Sequence, residues 1–497
     1  MIYPIVRAGR GMRPREDKIQ TKKDINALVA EQKAFFATGH TVHHLKGRMV
    51  RINALDDLQT AVKMYEKQLV QALHEDLGKS EFEAYATELV PVYQELDYIF
   101  KKGGAWFKDR RVLSNKLTMH GMGKVKYEPK GTVLIMAPWN YPVQLTLIPL
   151  MSAIIAGNTA VVKPSELAPK TAEVLIKMIS ETFESKYIAA VSGGPEVAKK
   201  LTEADFDHIF FTGSTRVGRE VMAAAAKNLT TVTLELGGKS PCIVTTNGNI
   251  YKAAKSIVWA KLVNCGQTCV APDYVLVAEE QKEAFVSSLI FAIHELYGQE
   301  PLESADYGRI VNRQHFDRLN SYIEAYRGTG KLAFGGQVNK DTLQIAPTIL
   351  TDIGLEDPVM QDEIFGPILP VFTYDTVANA VRFINSRPTP LVCYLFSESD
   401  DNITLVDNKL RCGALCINDT MSHMLNPALP FGGVGDSGFG RYHGYAGFQE
   451  FSVPKTVFRA RGSANALRYP PYTDSKLQKL KQLFKLGGEV VSQKDLR

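Results

Sequence analysis

Tryptophan and cysteine are scarce in this chain of 497 residues, which holds three of the first and six of the second. The cysteines, Cys242, Cys265, Cys269, Cys393, Cys412 and Cys416, have no paired CxxC spacing. That excludes zinc ribbons and a secreted disulfide framework and makes a reducing, cytoplasmic compartment the default. An excess of one charge is also missing: 58 Lys and Arg stand against 53 Asp and Glu, a net charge of +5 that gives no support to a nucleic-acid partner. Long hydrophobic runs are absent too. The most apolar stretch, Leu145 to Val162, is interrupted by Pro149, Gly157 and Asn158, and reads as a buried helix, a turn and a buried strand instead of an integral membrane segment. The opening MIYPIVRAGRGMRPREDK lacks the apolar region of a signal peptide, so residues 1–23 are expected to be a basic N-terminal extension, with Met12 an alternative start.

What is present is globular: 45% hydrophobic and 22% charged residues, with 38 Gly and 24 Pro. The length accommodates about two to four structural units, with large cores on both sides of a cleft. From about Asp24 to Phe107 apolar residues recur at three and four, as in LQTAVKMYEKQLVQALHEDLG, which predicts an all-helical lead-in. From Gly131 the pattern alternates β-rich runs (TVLIMA, TAVVK, YIAAVSG, HIFFTG, TVTLEL) with helical ones, including a helix opened by Pro169 and another near Arg216 to Lys227. Such alternation predicts a doubly wound parallel sheet in an α/β fold. A second α/β stretch follows, with helices near 251–263, 281–297 and 312–326 and strands near 274–277, 369–372 and 414–417. The final residues, 471–497, form a basic amphipathic tail in which Leu477, Leu480 and Phe484 alternate with lysines, a candidate for peripheral membrane contact.

Chemistry-bearing residues collect where strands are predicted to end. Cys269 and Cys265 lie four apart in NCGQTCVAPDY, and either alone could be a small buried hydrophobe. Glu235 in TLELGGKSPC ends a predicted buried strand just before a glycine pair, where open α/β sheets place ligand chemistry; a carboxylate there is costly unless it is ion-paired or used. Asn140 in MAPWNYPV ends another strand between two prolines, and its amide suits an oxyanion as well as it suits a turn. Lys163 and Glu166 follow the next strand in VVKPSE, and Gly213 to Gly218 in FTGSTRVG has neither the GxGxxG spacing nor a P-loop lysine. Cys265 and Cys269 could share a helical face, yet no neighbouring His or Asp completes a metal site, and Cys265 is read as a thiol able to trap Cys269 under oxidation. His40, His43 and His44 in GHTVHH read as surface histidines, so no metal is expected.

The segments PWNYP, GNTAVVKPSE, FTGSTRVG, VTLELGGKSPC, NCGQTCVAPDY, EIFGPILPV and LPFGGVGDSGFGRYHG together resemble the aldehyde dehydrogenase superfamily, and within it the class 3 branch that includes fatty-aldehyde dehydrogenases. They occur in order, and the resemblance covers roughly Asp24 to Pro470. The resemblance implies a Rossmann-type coenzyme domain over 24–110 and 131–236, an α/β catalytic domain over 237–434, and a small β oligomerisation arm from 111–130 and 447–460 that is covered in a homodimer. It implies Cys269 as nucleophile, Glu235 as general base and Asn140 as oxyanion donor. It places Lys163 and Glu166 near the adenosine ribose, and Gly213, Ser214 and Gly218 at the pyrophosphate helix. It places Glu363 and Phe365 at the nicotinamide ribose and ring, counts Trp139 and Leu236 among the coenzyme-binding residues, and has Asn418 support the site near the thiol. Tyr85, Trp139, Tyr141 and Met421 would line an apolar tunnel suited to medium- or long-chain aliphatic or aromatic aldehydes.

NAD is favoured as cofactor, because Glu166 would accept from a free 2′-hydroxyl and repel a 2′-phosphate, while Lys163 keeps NADP open. Two other readings remain: a CoA-acylating aldehyde dehydrogenase, whose relatives usually lack the water-activating glutamate, and a catalytically retired protein on the same fold, whose mark would be loss of the Cys, Glu or Asn.

Overall fold

The computed structural model describes residues 22–42, 44–118, 121–460 and 466–484. The expected basic extension up to residue 21, His43 and the tail beyond residue 484 lie outside the described residues. Contacts divide the chain into two units. The first runs to Trp106 and resumes over Pro129–Ser452; the second comprises Phe107–Glu128 and the chain from Val453.

The first unit opens with the predicted helical lead-in: Lys22–Ala37, His44–Leu77, Glu81–Ala84, a π-helical turn Tyr85–Leu89, and Val90–Trp106. Behind these helices stands a six-stranded sheet whose order is Ile188–Ala190, Thr159–Lys163, Thr132–Met136, His208–Gly213, Thr231–Leu236 and Gly438–Phe439. All pairings are parallel except the last, where Gly438 lies opposite Glu235. Thr132–Met136 and Thr159–Lys163 are buried at every position, which is why they read as unbroken apolar runs: helices cover both faces of a parallel sheet. Strand order reverses on either side of Thr132–Met136, so the switch point lies at the carboxyl ends of Thr132–Met136 and His208–Gly213, where the sequences APWN and GST follow.

The seven-stranded sheet has the order Leu332–Phe334, Thr348–Thr351, Ile368–Tyr374, Tyr274–Ala278, Pro241–Val244, Val392–Phe396 and Ala414–Ile417. It is parallel apart from its first pair. Pro241–Val244, Thr348–Thr351 and Val392–Phe396 escape a reading by period because each is a short, fully buried run with no alternation. After Gly440 the chain forms the helix Gly444–Glu450 and the strand Ser452–Ala460.

In the second unit Arg110–Val112, Gly121–Pro129 and Ser452–Ala460 make a three-stranded sheet. Exposed residues dominate both outer strands. The helix Asp474–Phe484 ends the described chain.

Candidate active site

Cys269 sits in a loop set up by an unusual backbone. After the helix Ile250–Leu262, Asn264 and Cys265 both take left-handed conformations, with φ of 52° each, and turn the chain back on itself. The turn is over-determined by buried hydrogen bonds. The Asn264 N–H donates to Glu83 (2.8 Å), the Asn264 amide to the Asn140 carbonyl (2.8 Å), and the Gln267 amide to the carbonyls of Asn264 (2.9 Å) and Arg309 (3.0 Å). Further on, Tyr141 and Thr268 join hydroxyls at 2.7 Å, and the Tyr394 hydroxyl donates to the Val270 carbonyl at 2.5 Å. The thiol therefore stands on a rigid loop.

Asn140 follows the strand Thr132–Met136 and is buried. Its amide donates one N–H to the Gln267 carbonyl at 3.0 Å, which fixes its orientation and leaves a second N–H for an oxyanion. Beneath it lies an ion pair that no sequence pattern announced. Lys79 and Glu88, both with fully buried side chains, meet at 2.7 Å. The Lys79 ammonium also donates to the Asn140 carbonyl at 3.2 Å and lies 4.0 Å from the Tyr141 ring centre. The other Glu88 oxygen accepts from the Val143 and Gln144 N–H groups, each at 3.0 Å, and so caps the wholly buried helix Gln144–Ala156.

Two carboxylates face the thiol. Burial pushes the Cys269 thiol up to about 12, and the charges of Glu363 and Glu235 push it the same way, against the Cys269 and Val270 N–H groups that favour the thiolate. Glu235 ends the strand Thr231–Leu236 and is 3% exposed, and neither of its oxygens has a hydrogen-bond partner among the described residues. Burial holds it protonated well above the usual carboxylate range, with Arg441 opposing and Glu450 reinforcing. This is not the ion-paired structural carboxylate that the sequence also allowed. Glu363 is raised to about 8, by burial and then by Asp273, and occupies the space that Gly237, lacking a side chain, leaves open.

Several residues expected at the coenzyme lie at strand ends of the six-stranded sheet, around its switch point. Lys163, buried, pairs with Glu166 at 2.8 Å at the end of the strand Thr159–Lys163. Ser214 caps the helix Thr215–Ala225, whose first turn carries no acidic residue, leaving an N-terminus suited to phosphate. Gly218 lets that helix close on the strand carrying Leu236: a Cβ there would stand 2.7 Å from the Leu236 side chain. Trp139 packs edge-on to Phe365 with ring centres 5.3 Å apart, and Phe365 holds a φ of 50°. A dinucleotide fits these residues: a helix N-terminus without acidic residues for its phosphates, a Lys and Glu pair for its ribose, and an aromatic corner for its ring.

Other expected positions are more mixed. Met421, buried, hydrogen-bonds through its backbone to the same Tyr394 that holds Val270. The Tyr85 hydroxyl is committed to Glu66, as is that of Tyr93. Asn418 uses its amide on the backbone of Ser397, donating to the carbonyl at 2.8 Å and accepting from the N–H at 2.9 Å, so its contact with the protein is a clamp between strand ends. Cys265 is buried, and the groups acting on it are Glu83 and Tyr307. The left-handed turn removes the shared helical face expected of Cys265 and Cys269, and all six cysteines are free. No group of three metal-ligating side chains occurs among the described residues.

Comparison with known proteins agrees with this geometry. Residues 18–457 match the aldehyde dehydrogenase family. The chain is 44% identical over 456 residues to 4,4'-diaponeurosporen-aldehyde dehydrogenase of Staphylococcus aureus, covering 92% of this chain and 98% of that protein. It is 42% identical to aldehyde dehydrogenase family 3 member B3 of Mus musculus, covering 96% of each. Among solved structures, the substrate-bound state of Staphylococcus aureus AldH superposes with a TM-score of 0.89 at 43% identity, covering 93% of this chain and 99% of that one. A betaine aldehyde dehydrogenase from Staphylococcus aureus in complex with NAD+ superposes at 0.80 and 26% identity, covering 90% and 92%. The chain belongs to the aldehyde dehydrogenase family of NAD(P)-dependent oxidoreductases.

Proposed function

We propose that the protein oxidises medium- or long-chain aliphatic or aromatic aldehydes to carboxylic acids, with Cys269 as nucleophile, Asn140 as oxyanion donor and Glu235 as base. The observation that carries this reading is a buried carboxylate without hydrogen bonds, electrostatically coupled to a thiol on a rigid loop. The Cys269 thiol gives up its proton to solvent and its sulfur adds to the aldehyde carbon, whose oxygen takes the negative charge, met by the free Asn140 N–H and the Cys269 backbone N–H. When bound, the nicotinamide supplies the hydride acceptor that converts this adduct to a thioester. Glu235 then takes a proton from the water that attacks the thioester carbonyl, and the thiol is returned as the acid leaves. Its unpaired oxygens are free to hold that water. Because Glu235 must be deprotonated to act and its proton affinity is raised, turnover is expected to fall as pH is lowered, already above the range where an ordinary carboxylate titrates.

Glu166, paired with Lys163, favours NAD over NADP. The tunnel is assigned to Tyr85, Trp139, Tyr141 and Met421, with Asn418 behind it. The expected domain division and a homodimer through the three-stranded arm belong to the same reading, as does a cytoplasmic enzyme touching membranes peripherally. No helix among the described residues is long and apolar enough to cross a membrane. Helix Asp474–Phe484 instead leaves Leu477, Leu480 and Phe484 exposed beside lysines. Co-sedimentation with anionic liposomes should be weaker for a chain truncated after Tyr472; equal binding removes the membrane role.

The central test is NADH formation with an aldehyde panel, with and without CoA, for the wild type, Cys269→Ser and Glu235→Gln. Turnover that is independent of CoA, absent in Cys269→Ser and reduced at least a hundredfold in Glu235→Gln, roughly the contribution of a positioned general base, supports the hydrolytic mechanism. Turnover only with CoA makes the enzyme acylating, and no turnover in folded, reduced protein makes it a retired member of the fold.

A further inference from the structure

Glu235 poses a problem of charge. A buried carboxylate with no cation nearby stays protonated and cannot act as a base, and one tied directly to a cation is a weak base. The surroundings of Gly432 resolve this. A Cβ on Gly432 would stand 2.9 Å from Glu235 Oε1 and 2.9 Å from an Arg441 terminal nitrogen, so the missing side chain is the gap across which the two groups face each other without a hydrogen bond. Arg441 is anchored there, because the same nitrogen donates to the Gly433 carbonyl at 2.6 Å and the Gly440 carbonyl at 2.7 Å.

A second charge is tied into the cluster. Glu450 accepts from the Thr233 hydroxyl at 2.5 Å and from the Arg441 backbone N–H at 3.3 Å. Thr233 lies two residues before Glu235 on one strand, hence on the same face. Lys130 stands 3.7 Å from Glu450, and the His208 ring bridges Lys130 at 3.2 Å and the Thr233 hydroxyl at 3.1 Å. Burial keeps His208 neutral. The remaining titratable groups facing Glu235, Cys269 and Tyr442, are pushed up by burial and are uncharged at neutral pH. Among the described residues, Arg441 and Glu450 are thus the charges that act directly on Glu235, with Lys130 acting through Glu450.

We propose that Arg441 is a positioning residue for Glu235, drawing its carboxylate toward the base form across the gap at Gly432, and that Glu450 opposes it. This rests on Glu235 being the general base. A cation near the carboxylate but bonded elsewhere favours ionisation while leaving both oxygens open to water. The arrangement also gives Arg441, in the segment GFGRYHG, a role beyond clamping its loop.

The test uses p-nitrophenyl acetate with the full chain and no coenzyme. Thiolate attack on the ester carbonyl expels p-nitrophenolate in a burst and leaves an acetyl thioester on Cys269. The steady phase then reports attack by water on that thioester, with the water proton passing to Glu235. The pH profile of the steady phase is measured for the wild type, Arg441→Gln, Arg441→Lys and Glu450→Gln. In Arg441→Gln the acidic limb is expected to move to higher pH, with about tenfold slower hydrolysis on the limb for each unit moved. Arg441→Lys should restore its position, and Glu450→Gln should move it the opposite way. Limbs that stay in place or move in the same direction in Arg441→Gln and Glu450→Gln, with bursts retained, overturn the proposal. If Arg441→Gln does not fold, Glu450→Gln decides alone: a limb moved to lower pH supports the proposal and an unmoved one overturns it. Glu235→Gln separates the two layers. Loss of hydrolysis with the burst intact keeps the base assignment, so that unmoved limbs overturn this inference alone, whereas undiminished hydrolysis overturns both.

Discussion

Glu363 and Glu235 both work against the ionisation of the thiol they surround, and this governs how the resting enzyme should react with alkylating agents. Glu363 titrates at about 8, so in alkaline solution it adds a negative charge that holds the Cys269 proton more tightly. Replacing Glu363 by Gln removes that charge and lowers the proton affinity of the thiol. Iodoacetamide inactivation above pH 8 should then be faster in Glu363→Gln than in the wild type, by about tenfold for each unit of displacement. Slower or unchanged inactivation would mean that Glu363 does not sense the thiol. At this scale the sequence was informative, because Cys269, Glu235 and Asn140 all stand at strand ends or in a Gly-containing turn, where chain pattern already places chemistry. Lys79, Glu88, Thr233 and Glu450 were not legible. They lie in a helix connection, on helices or mid-strand, with partners from 9 to 217 residues away, and nothing local marks them.

The helix Gln144–Ala156 shows how one element depends on remote charge. Every residue of it is buried and its own sequence offers no capping side chain, so its first N–H groups are satisfied by Glu88 from the π-helical turn Tyr85–Leu89. Breaking the Lys79 and Glu88 pair leaves an uncompensated buried charge, a change that costs about 3–5 kcal/mol. Glu88→Gln should therefore lower the denaturation midpoint markedly, measured by urea titration. It should also reduce turnover through displacement of Asn140, whose carbonyl shares Lys79. The other end of the helix is closed by Gly157 at φ 102°, where a Cβ would stand 2.6 Å from the Arg51 guanidinium. Element types were readable wherever a period or a terminator was present, as with Pro169 opening its helix. They were unreadable for the short buried strands of the seven-stranded sheet, whose identity is fixed by the neighbours that hydrogen-bond to them.

For the whole molecule, the second unit presents an unsatisfied surface. Its sheet ends in exposed strands, and Leu113 (96% exposed), Val453 and Phe458 leave apolar surface beside them. Exposed strand edges of this kind demand cover. The double variant Leu113→Asp and Val453→Asp is expected to run as a monomer by size-exclusion chromatography with light scattering, against a dimeric wild type; an unchanged mass would place the contact elsewhere.

The sequence by itself determined the α/β class, the two successive sheets and the membership that all these segments share, and it singled out Cys269, Glu235 and Asn140 as the residues proposed for nucleophile, base and oxyanion donor. Each is encoded locally, by period, by strand-end position or by a contiguous motif. Only the tertiary structure decided that Glu235 has no hydrogen-bond partner among the described residues, that Cys265 turns away through a left-handed backbone, and that a buried Lys79 and Glu88 pair supports Asn140. It alone brings Arg441 against Glu235 across the space left by Gly432. Those facts depend on which distant residues share a low-dielectric interior, and burial and charge proximity are properties of the folded chain that no spacing along it can express.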